Sequence, residues 1–297
     1  MTQGRAILFL LLAIVAVWFI ADWVRWVRAQ GSSARWPPFV HLAIGALTDF
    51  FDTLGVGSFA TTTSLYKLGN LVADENIPGT LNVGHTVPTF AEAFIFILVV
   101  DVDLTTLVLM IAAATAGGWI GAGLVSHWPR RRIQLAMGVL LLLAAGIIVA
   151  RVMHLVPGGG DARGLSGVRL AIGLAGNFML GTLMTLGIGL YAPCMILVSL
   201  LGMNQTVAFP IMMGSCAFLM PVASTRFIRS GRYDLRAALG LTLAGTPAAI
   251  VAGLVVKSLP LTAVKWLVVV VVVYTAAAML RSAVREASKE TGDVARA

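Results

Sequence analysis

An interrupted apolar segment at residues 42–69 limits the folds open to this chain more than any other feature. Two apolar arms flank the break Gly55-Val56-Gly57-Ser58, and Asp49 and Asp52 lie just before it. Glycine costs about 1 kcal/mol in a helix interior, and a carboxylate costs roughly 2.5–3.5 kcal/mol at the centre of a membrane span. A segment that contains both is therefore predicted to be a broken helix whose exposed backbone ends form an ion site within a membrane.

The composition also indicates a membrane protein. Hydrophobic residues make up 59% of the chain and charged residues 11%, whereas about 25% of the residues of a soluble domain are charged. The net charge of +8 comes from arginines in short loops, which fits the positive-inside rule and argues against nucleic-acid binding. The run 1–20 has no signal-peptide cleavage site, so we predict a retained transmembrane helix. Only two cysteines are present, Cys194 and Cys216, and no disulfide framework is expected.

The second half of the chain repeats the first half. Four short motifs recur in the same order about 130 residues later, which indicates an internal duplication. The motifs at 42–45, 53–57, 84 and 122–125 return at 170–173, 185–189, 214 and 252–255.

Loop charges predict that the two repeats are inverted. The loop after the second apolar element is acidic in the first half, with Asp101 and Asp103, and basic in the second, around 226–236. Equivalent loops of opposite charge are expected on opposite sides of a membrane. Inversion requires an odd number of crossings in each half, which four apolar elements provide if the broken element re-enters. Its arms of about 12 to 16 residues rise roughly 18–24 Å, so re-entry is favoured over spanning.

The predicted fold is therefore an all-α, polytopic integral membrane protein. An N-terminal transmembrane helix precedes two inverted repeats, each with a broken, re-entrant helix and three transmembrane helices. The predicted divisions are the N-terminal helix with a cytoplasmic loop, repeat 1, a linker, repeat 2 and a cytoplasmic tail, at 1–36, 37–156, 157–167, 168–285 and 286–297.

Both breaks are candidate anion sites. At a break the second arm begins with unpaired N–H groups and the positive end of a helix dipole. Ser58 is a candidate cap for the new helix, and glycines let the backbone approach a ligand; these are Gly55, Gly57, Gly187 and Gly189. Tight helix packing is the alternative explanation for such glycines.

Three acids and one histidine are candidates for exchanging a proton or a cation. Asp49 and Asp52 share a helical face, and Glu92 lies one element later. An apolar environment disfavours the charged form of a carboxyl group, which suits a proton carrier. His85 shares a face with Glu92 and can also donate a hydrogen bond to an anion. The alternatives are carboxylates at helix ends in water and a histidine that only packs.

Further polar or small residues near the breaks are candidates for substrate binding. These are Thr61, Asn82, Gly84, His85, Cys194 and Ser215. A helical threonine usually bonds back to the preceding turn, and a buried cysteine usually acts as a small hydrophobe. No histidine pair has the spacing of metal or haem ligands, so no metal and no cofactor are expected. Ser, His and Asp do not cluster as in an enzyme.

These motifs resemble the sulfite exporter TauE/SafE family of membrane permeases. The segments 52–58 and 77–85 look especially like one branch of that family, and the similarity extends from about Phe39 to Leu280 without the N-terminal helix. The breaks read Gly-Val-Gly-Ser and Gly-Ile-Gly-Leu instead of the family's commoner run of four glycines. The resemblance implies export of small anions, often sulfur oxyanions or organosulfonates, across a bacterial cytoplasmic membrane and driven by the proton gradient.

The sequence thus predicts a secondary transporter, not an enzyme, in the inner membrane of a bacterium. Its expected partners are a small anionic substrate and membrane lipids, no nucleic acid is expected, and a homodimer is compatible with these predictions. Two alternatives stay open: an anion channel, and a cation or metal carrier that uses Asp49, Asp52 and His85.

Overall fold

The computed structural model describes residues 3–29, 36–155, 159–187 and 189–255, with 266, 269–270, 272–274 and 276–285. The predicted tail 286–297 and part of the last element of the second repeat lie outside the described residues. Along the described residues the chain forms these α-helices: α1 (Gln3–Ala29), α2 (Phe39–Thr53), α3 (Ser58–Leu68), α4 (Ile77–Val99), α5 (Leu104–Val125), α6 (Arg130–Val152), α7 (Gly167–Met184), α8 (Tyr191–Leu200), α9 (Ala208–Arg229) and α10 (Leu235–Val255).

The all-α, polytopic fold is confirmed. Seven helices in the described part are long and apolar enough to cross a membrane, namely α1, α4, α5, α6, α7, α9 and α10. No β-strand occurs among the described residues, where only isolated bridges are found.

The first broken element is a hairpin of α2 and α3. Between these helices Gly55 and Gly57 have φ angles of 82° and 93°, a region that favours glycine and lets the chain reverse. At the open end of the hairpin, the rings of His41 and Tyr66 pack edge to face with centroids 5.6 Å apart. The start of α2 and the end of α3 therefore lie side by side.

The second broken element is a hairpin of α7 and α8. Gly187 and Gly189 have φ angles of 91° and 77° at its turn. At its open end the Asn204 N–H, just after α8, donates to the Ala162 carbonyl oxygen, just before α7, at 2.8 Å. Its first arm, α7, has 18 residues and its second, α8, has 10. The arms are therefore less equal than the predicted 12 to 16 residues, and α7 counts among the helices long enough to span.

The two hairpins open at opposite ends of the helix bundle. Beside the open end of the first, the Asp234 N–H donates to Thr80 at the start of α4 (2.9 Å). Asp103 lies just after the end of α4, beside the open end of the second hairpin. Its N–H donates to the Arg163 carbonyl oxygen at 2.8 Å. The whole length of α4 thus separates the two openings.

Helices from the two halves pack against each other in corresponding pairs. α2 and α4 pack against α10, α7 and α9 pack against α5, and α4 packs against α9 in the middle. Glycines make the outer pairs close: a Cβ on Gly45 would lie 2.7 Å from the Leu241 Cα, and one on Gly121 would lie 2.7 Å from the Thr182 carbonyl oxygen. Small residues that let helix backbones approach are typical of membrane helix packing.

Candidate functional site

The turns of the two hairpins face one small cavity in the centre of the bundle. Gly57 of the first break and Gly189 of the second both line it. The cavity has a volume of about 30 Å³, which is room for about one or two water molecules. Its polar lining residues are Asp52, Ser58, Thr89, Tyr191 and Cys216.

Two helix N-termini meet at this cavity. α3 begins at Ser58 and α8 begins at Tyr191, and both residues line the cavity. The first N–H groups of a helix have no acceptor within the helix, and the helix dipole places partial positive charge there. The arrangement therefore favours a negatively charged group between the two helix ends.

The carboxylate of Asp52 already occupies one of these positions. Its Oδ1 accepts from the Ser58 N–H at 2.7 Å, and its Oδ2 accepts from the Ser58 hydroxyl at 2.9 Å. Ser58, expected to cap α3, is instead the first residue of the helix and the donor to Asp52. At the start of α8, the preceding residue Leu190 forms no side-chain capping hydrogen bond.

Glu92 joins the two breaks. The Thr53 hydroxyl, at the end of α2, donates to Glu92 Oε1 at 2.7 Å. The Tyr191 hydroxyl, at the start of α8, donates to Oε2 at 2.6 Å. Sequence reasoning named Glu92 but missed both partners. The only available signal was their position, since Thr53 lies two residues before Gly55 of the first break and Tyr191 directly follows Leu190 of the second.

We expect Tyr191→Phe to lower the free energy of unfolding by about 1–3 kcal/mol, because it leaves Glu92 Oε2 buried without its donor. Chemical or thermal unfolding in detergent measures this change. Tyr66→Phe is the matched control, since Tyr66 is also buried but its hydroxyl makes a long 3.4 Å hydrogen bond to the Ala237 carbonyl oxygen. Equal losses in the two variants would contradict a specific role for the Tyr191–Glu92 bond.

Asp49 and His85 form a separate buried pair. His85 Nδ1 lies 2.7 Å from Asp49 Oδ1, and His85 Nε2 lies 3.1 Å from the Thr62 hydroxyl. A tautomer with its proton on Nδ1 satisfies both contacts. Asp49 Oδ2 has no hydrogen-bond partner among the described residues. Asp49, Asp52 and Glu92 are all at most 3% exposed, so none of the three acids lies at a water-exposed helix end.

The second half has a neutral pair at the corresponding place. Asn177 and Ser215 are the repeat equivalents of Asp49 and His85, and the Asn177 amide donates to the Ser215 hydroxyl at 3.0 Å. The same amide nitrogen donates to the Met110 carbonyl oxygen at 2.7 Å. The titratable version of the pair therefore belongs to the first half alone.

Several predicted site residues do not line the cavity. Thr61 bonds back to the Gly57 carbonyl oxygen at 2.9 Å, Asn82 bonds back to the Pro78 carbonyl oxygen at 2.8 Å, and Glu92 reaches the cavity only through Tyr191. Besides Asp49 and Glu92, the predicted residues that do not line the cavity are Gly55, Thr61, Asn82, Gly84, His85, Gly187, Cys194 and Ser215.

The described residues contain no group of three or more His, Cys, Asp or Glu side chains that could hold a metal ion. Asp49, Asp52 and Glu92 are held by hydroxyl, imidazole or backbone donors. Cys194 and Cys216 are buried free thiols.

Comparison with known families supports the resemblance drawn from the motifs. Residues 2–148 match the family described as "Sulfite exporter TauE/SafE", which confirms the family predicted from the sequence. The matched range includes α1, which the sequence resemblance had left outside, and it ends within α6. Searches of curated proteins and of solved structures found no match.

Proposed function

Because residues 2–148 belong to the sulfite exporter TauE/SafE family, we propose that this multi-pass membrane protein is a secondary transporter that carries sulfite or an organosulfonate across a bacterial inner membrane. The cavity between the N-termini of α3 and α8 carries this proposal. A small oxyanion offers several acceptor oxygens to the N–H groups at those ends. The substrate would bind between the two breaks and move as the hairpins rearrange.

The proposed topology is a pair of inverted repeats with two re-entrant hairpins. A contact between Arg5 and Asp101 at 2.6 Å supports it, because it joins the start of α1 to the end of α4. If α1 and α4 each cross the membrane once, the first hairpin must begin and end on one side. Hydrogen bonding from Arg163, together with the charge of Arg5, lowers the pKa of Asp101, which favours the ionised form that this contact requires.

The positive-inside rule gives the proposed orientation. The end of the bundle at which the first hairpin opens carries the basic stretches 130–132 and 226–236. We place this end in the cytoplasm. The end that carries Asp101 then faces outward.

Proton coupling is proposed to act through Asp52. While Asp52 is ionised, its negative charge fills the start of α3 and repels an incoming anion. Protonation removes that charge and weakens its hold on the Ser58 N–H. An anion and a proton would then bind together, so that anion affinity rises as pH falls.

The sign of this coupling bears on the direction of transport. A proton that accompanies the anion outward moves against the inward proton gradient, so that gradient opposes export. One proton neutralises a monoanion such as a sulfonate and leaves one net negative charge on a dianion such as sulfate. The membrane potential, negative inside, therefore favours export of the dianion alone, by about 2.3 kcal/mol per net charge per 100 mV. We therefore propose that the substrate gradient drives export, aided by the membrane potential where the anion carries two charges, in place of the proton gradient that the resemblance implies.

The cavity in this conformation is too small for a sulfur oxyanion. Because the cavity volume is only about 30 Å³, the structure corresponds to a closed state of the proposed transporter. Substrate entry requires the two hairpin turns to separate.

Uphill flux of the anion in proteoliposomes would distinguish such a transporter from a channel.

A thermal-shift screen of the purified protein tests the proposed substrate class. We expect sulfite, sulfate, thiosulfate or a simple sulfonate to raise the melting temperature, and to do so more strongly at pH 6 than at pH 8. A ligand at 100 times its Kd adds about 2.7 kcal/mol to the stability of the folded state. Stabilisation by divalent cations alone would overturn the anion proposal and favour a cation carrier.

Two neighbouring alanines of α6 provide a matched pair for this screen. Ala144 lines the cavity and Ala145 does not, although both are buried. Ala144→Leu and Ala145→Leu are both expected to lose some stability through overpacking. Only Ala144→Leu should lose the response to anions. An equal response in the two variants would place the binding site elsewhere.

A further inference from the structure

A crevice on the outer surface of the bundle changes from apolar to basic along its length. Its apolar part, of about 500 Å³, lies between α1, α5 and α9. Its basic part, of about 490 Å³, lies between the C-terminal ends of α5 and α9. Trp119 lines both parts, so they form one continuous surface that is separate from the central cavity.

The basic part holds two arginines without acidic partners. Arg226 lies over the Trp119 ring, with its Cζ 4.7 Å from the ring centroid. Arg229 follows one turn later and is exposed. Neither arginine forms an ion pair within the described residues, whereas Arg5 and Arg130 do. Hydroxyl and imidazole groups complete the lining: Ser126, His127, Thr225 and Ser230.

The apolar part has the depth of one membrane leaflet. From Val108 to Trp119 the lining follows α5 for a rise of about 16 Å, which is about half of a ~30 Å hydrocarbon core. Ala112 and Ala116 form an exposed floor of small side chains one helical turn apart. Such a groove accepts an extended hydrocarbon chain.

We propose that this crevice binds an anionic phospholipid from the leaflet at the basic end of the bundle. The phosphate would lie on Arg226 and Arg229, Trp119 would lie at the boundary between headgroup and chain, and one acyl chain would fill the groove above Ala112 and Ala116. Basic pockets between membrane helices bind anionic lipid headgroups in this way, and tryptophan favours that depth.

The chemistry of this end of the bundle fits a lipid better than a second copy of the chain. A symmetric contact would need acidic groups to meet the arginines. Of the acids at this end, Asp74 pairs with Lys67 at 2.6 Å, Glu75 lies 3.5 Å from Arg130, and Asp234 accepts from the Ala237 N–H at 2.8 Å. Uncompensated positive charge next to an apolar groove is complementary to a phosphodiester with acyl chains.

Native mass spectrometry of the delipidated protein, with lipid added back, tests this proposal. We expect phosphatidylglycerol to be retained at least tenfold better than phosphatidylethanolamine. Arg226→Gln with Arg229→Gln should abolish that preference, and Ala112→Phe with Ala116→Phe should reduce retention of both lipids without a change of charge. Arg25→Gln with Arg28→Gln, which removes two exposed charges away from the crevice, should leave the preference intact.

Three results would overturn the proposal. The first is equal retention of the two lipids by the unmodified protein, or an unchanged preference in the Arg226 and Arg229 variant. The second is equal stabilisation by inorganic phosphate or glycerol 3-phosphate, which would indicate a soluble phosphate ligand. The third is a change of oligomeric state in the Ala112 and Ala116 variant, which would indicate an interface between copies of the chain. Arg226→Lys keeps the charge but loses the flat stacking on Trp119. This variant should retain part of the preference for phosphatidylglycerol, and it tests the role of Arg226 with a conservative change.

Discussion

Asp52→Asn is expected to make anion binding independent of pH. In the structure the Asp52 carboxylate accepts two hydrogen bonds from Ser58 at the start of α3. An anion and an ionised carboxylate cannot both occupy this helix end without strong repulsion. Asparagine preserves the shape and the acceptor oxygen but removes the charge, so the anion no longer needs a proton to accompany it.

The size of this effect follows from linkage. Where one proton must bind with each anion, the apparent Kd of the unmodified protein rises about tenfold for each pH unit above the point at which Asp52 ionises. The Asp52→Asn variant should show a flat profile over the same range. Sulfate or a simple alkylsulfonate is the appropriate probe, because the charge of these ions is constant near neutral pH whereas that of sulfite is not. Calorimetry or the thermal shift gives the Kd.

Asp49→Asn is the matched control for this experiment. Asp49 is equally buried and lies in the same helix, but its carboxylate contacts His85 and not Ser58. The Asp49→Asn variant should therefore keep the tenfold rise in apparent Kd per pH unit. A steep slope in Asp52→Asn, or a flat one in Asp49→Asn, would assign the coupling proton to a different group.

The positions of the two breaks could be predicted from sequence because they depend on local backbone preferences. Glycine pairs in otherwise apolar segments mark places where a helix ends and φ becomes positive, and all four predicted glycines have φ between 77° and 93°. The link between Asp52 and Ser58 could not be predicted. These residues are six positions apart on either side of the break, and their separation in space depends on the path of the turn between them.

The partners of the buried acids were equally inaccessible to sequence reasoning. Periodicity placed His85 and Glu92 on one face of a helix, but it did not indicate what that face contacts. Tyr191 is 99 residues from Glu92 in the chain, and only the tertiary fold brings them together. Comparison of the repeats is more informative, because the motif offset of about 130 residues pairs Asp49 with Asn177 on sequence alone.

His85→Leu is expected to cause the largest loss of stability of any single substitution at the Asp49–His85 pair. The substitution removes the hydrogen bond to Asp49 Oδ1, while Oδ2 already has no partner among the described residues. Removal of one partner from a buried pair typically costs roughly 3–5 kcal/mol. The free energy of unfolding in detergent should fall by an amount in this range.

Two further variants separate the loss of the hydrogen bond from the loss of the ring. His85→Asn places an amide donor close to the position of Nδ1 and should recover part of the stability. Asp49→Val combined with His85→Leu removes both members of the pair and should cost much less than the sum of the two single changes, since no buried carboxylate is left unpaired and only the Thr62 hydroxyl loses its partner. Additive losses in the double variant would mean that His85 stabilises the protein through packing alone, against Phe59 at a centroid distance of 5.7 Å.

Because the Asp49–His85 pair does not line the cavity, His85→Asn should also retain the pH dependence of anion binding. This result would distinguish a stabilising pair from a coupling site.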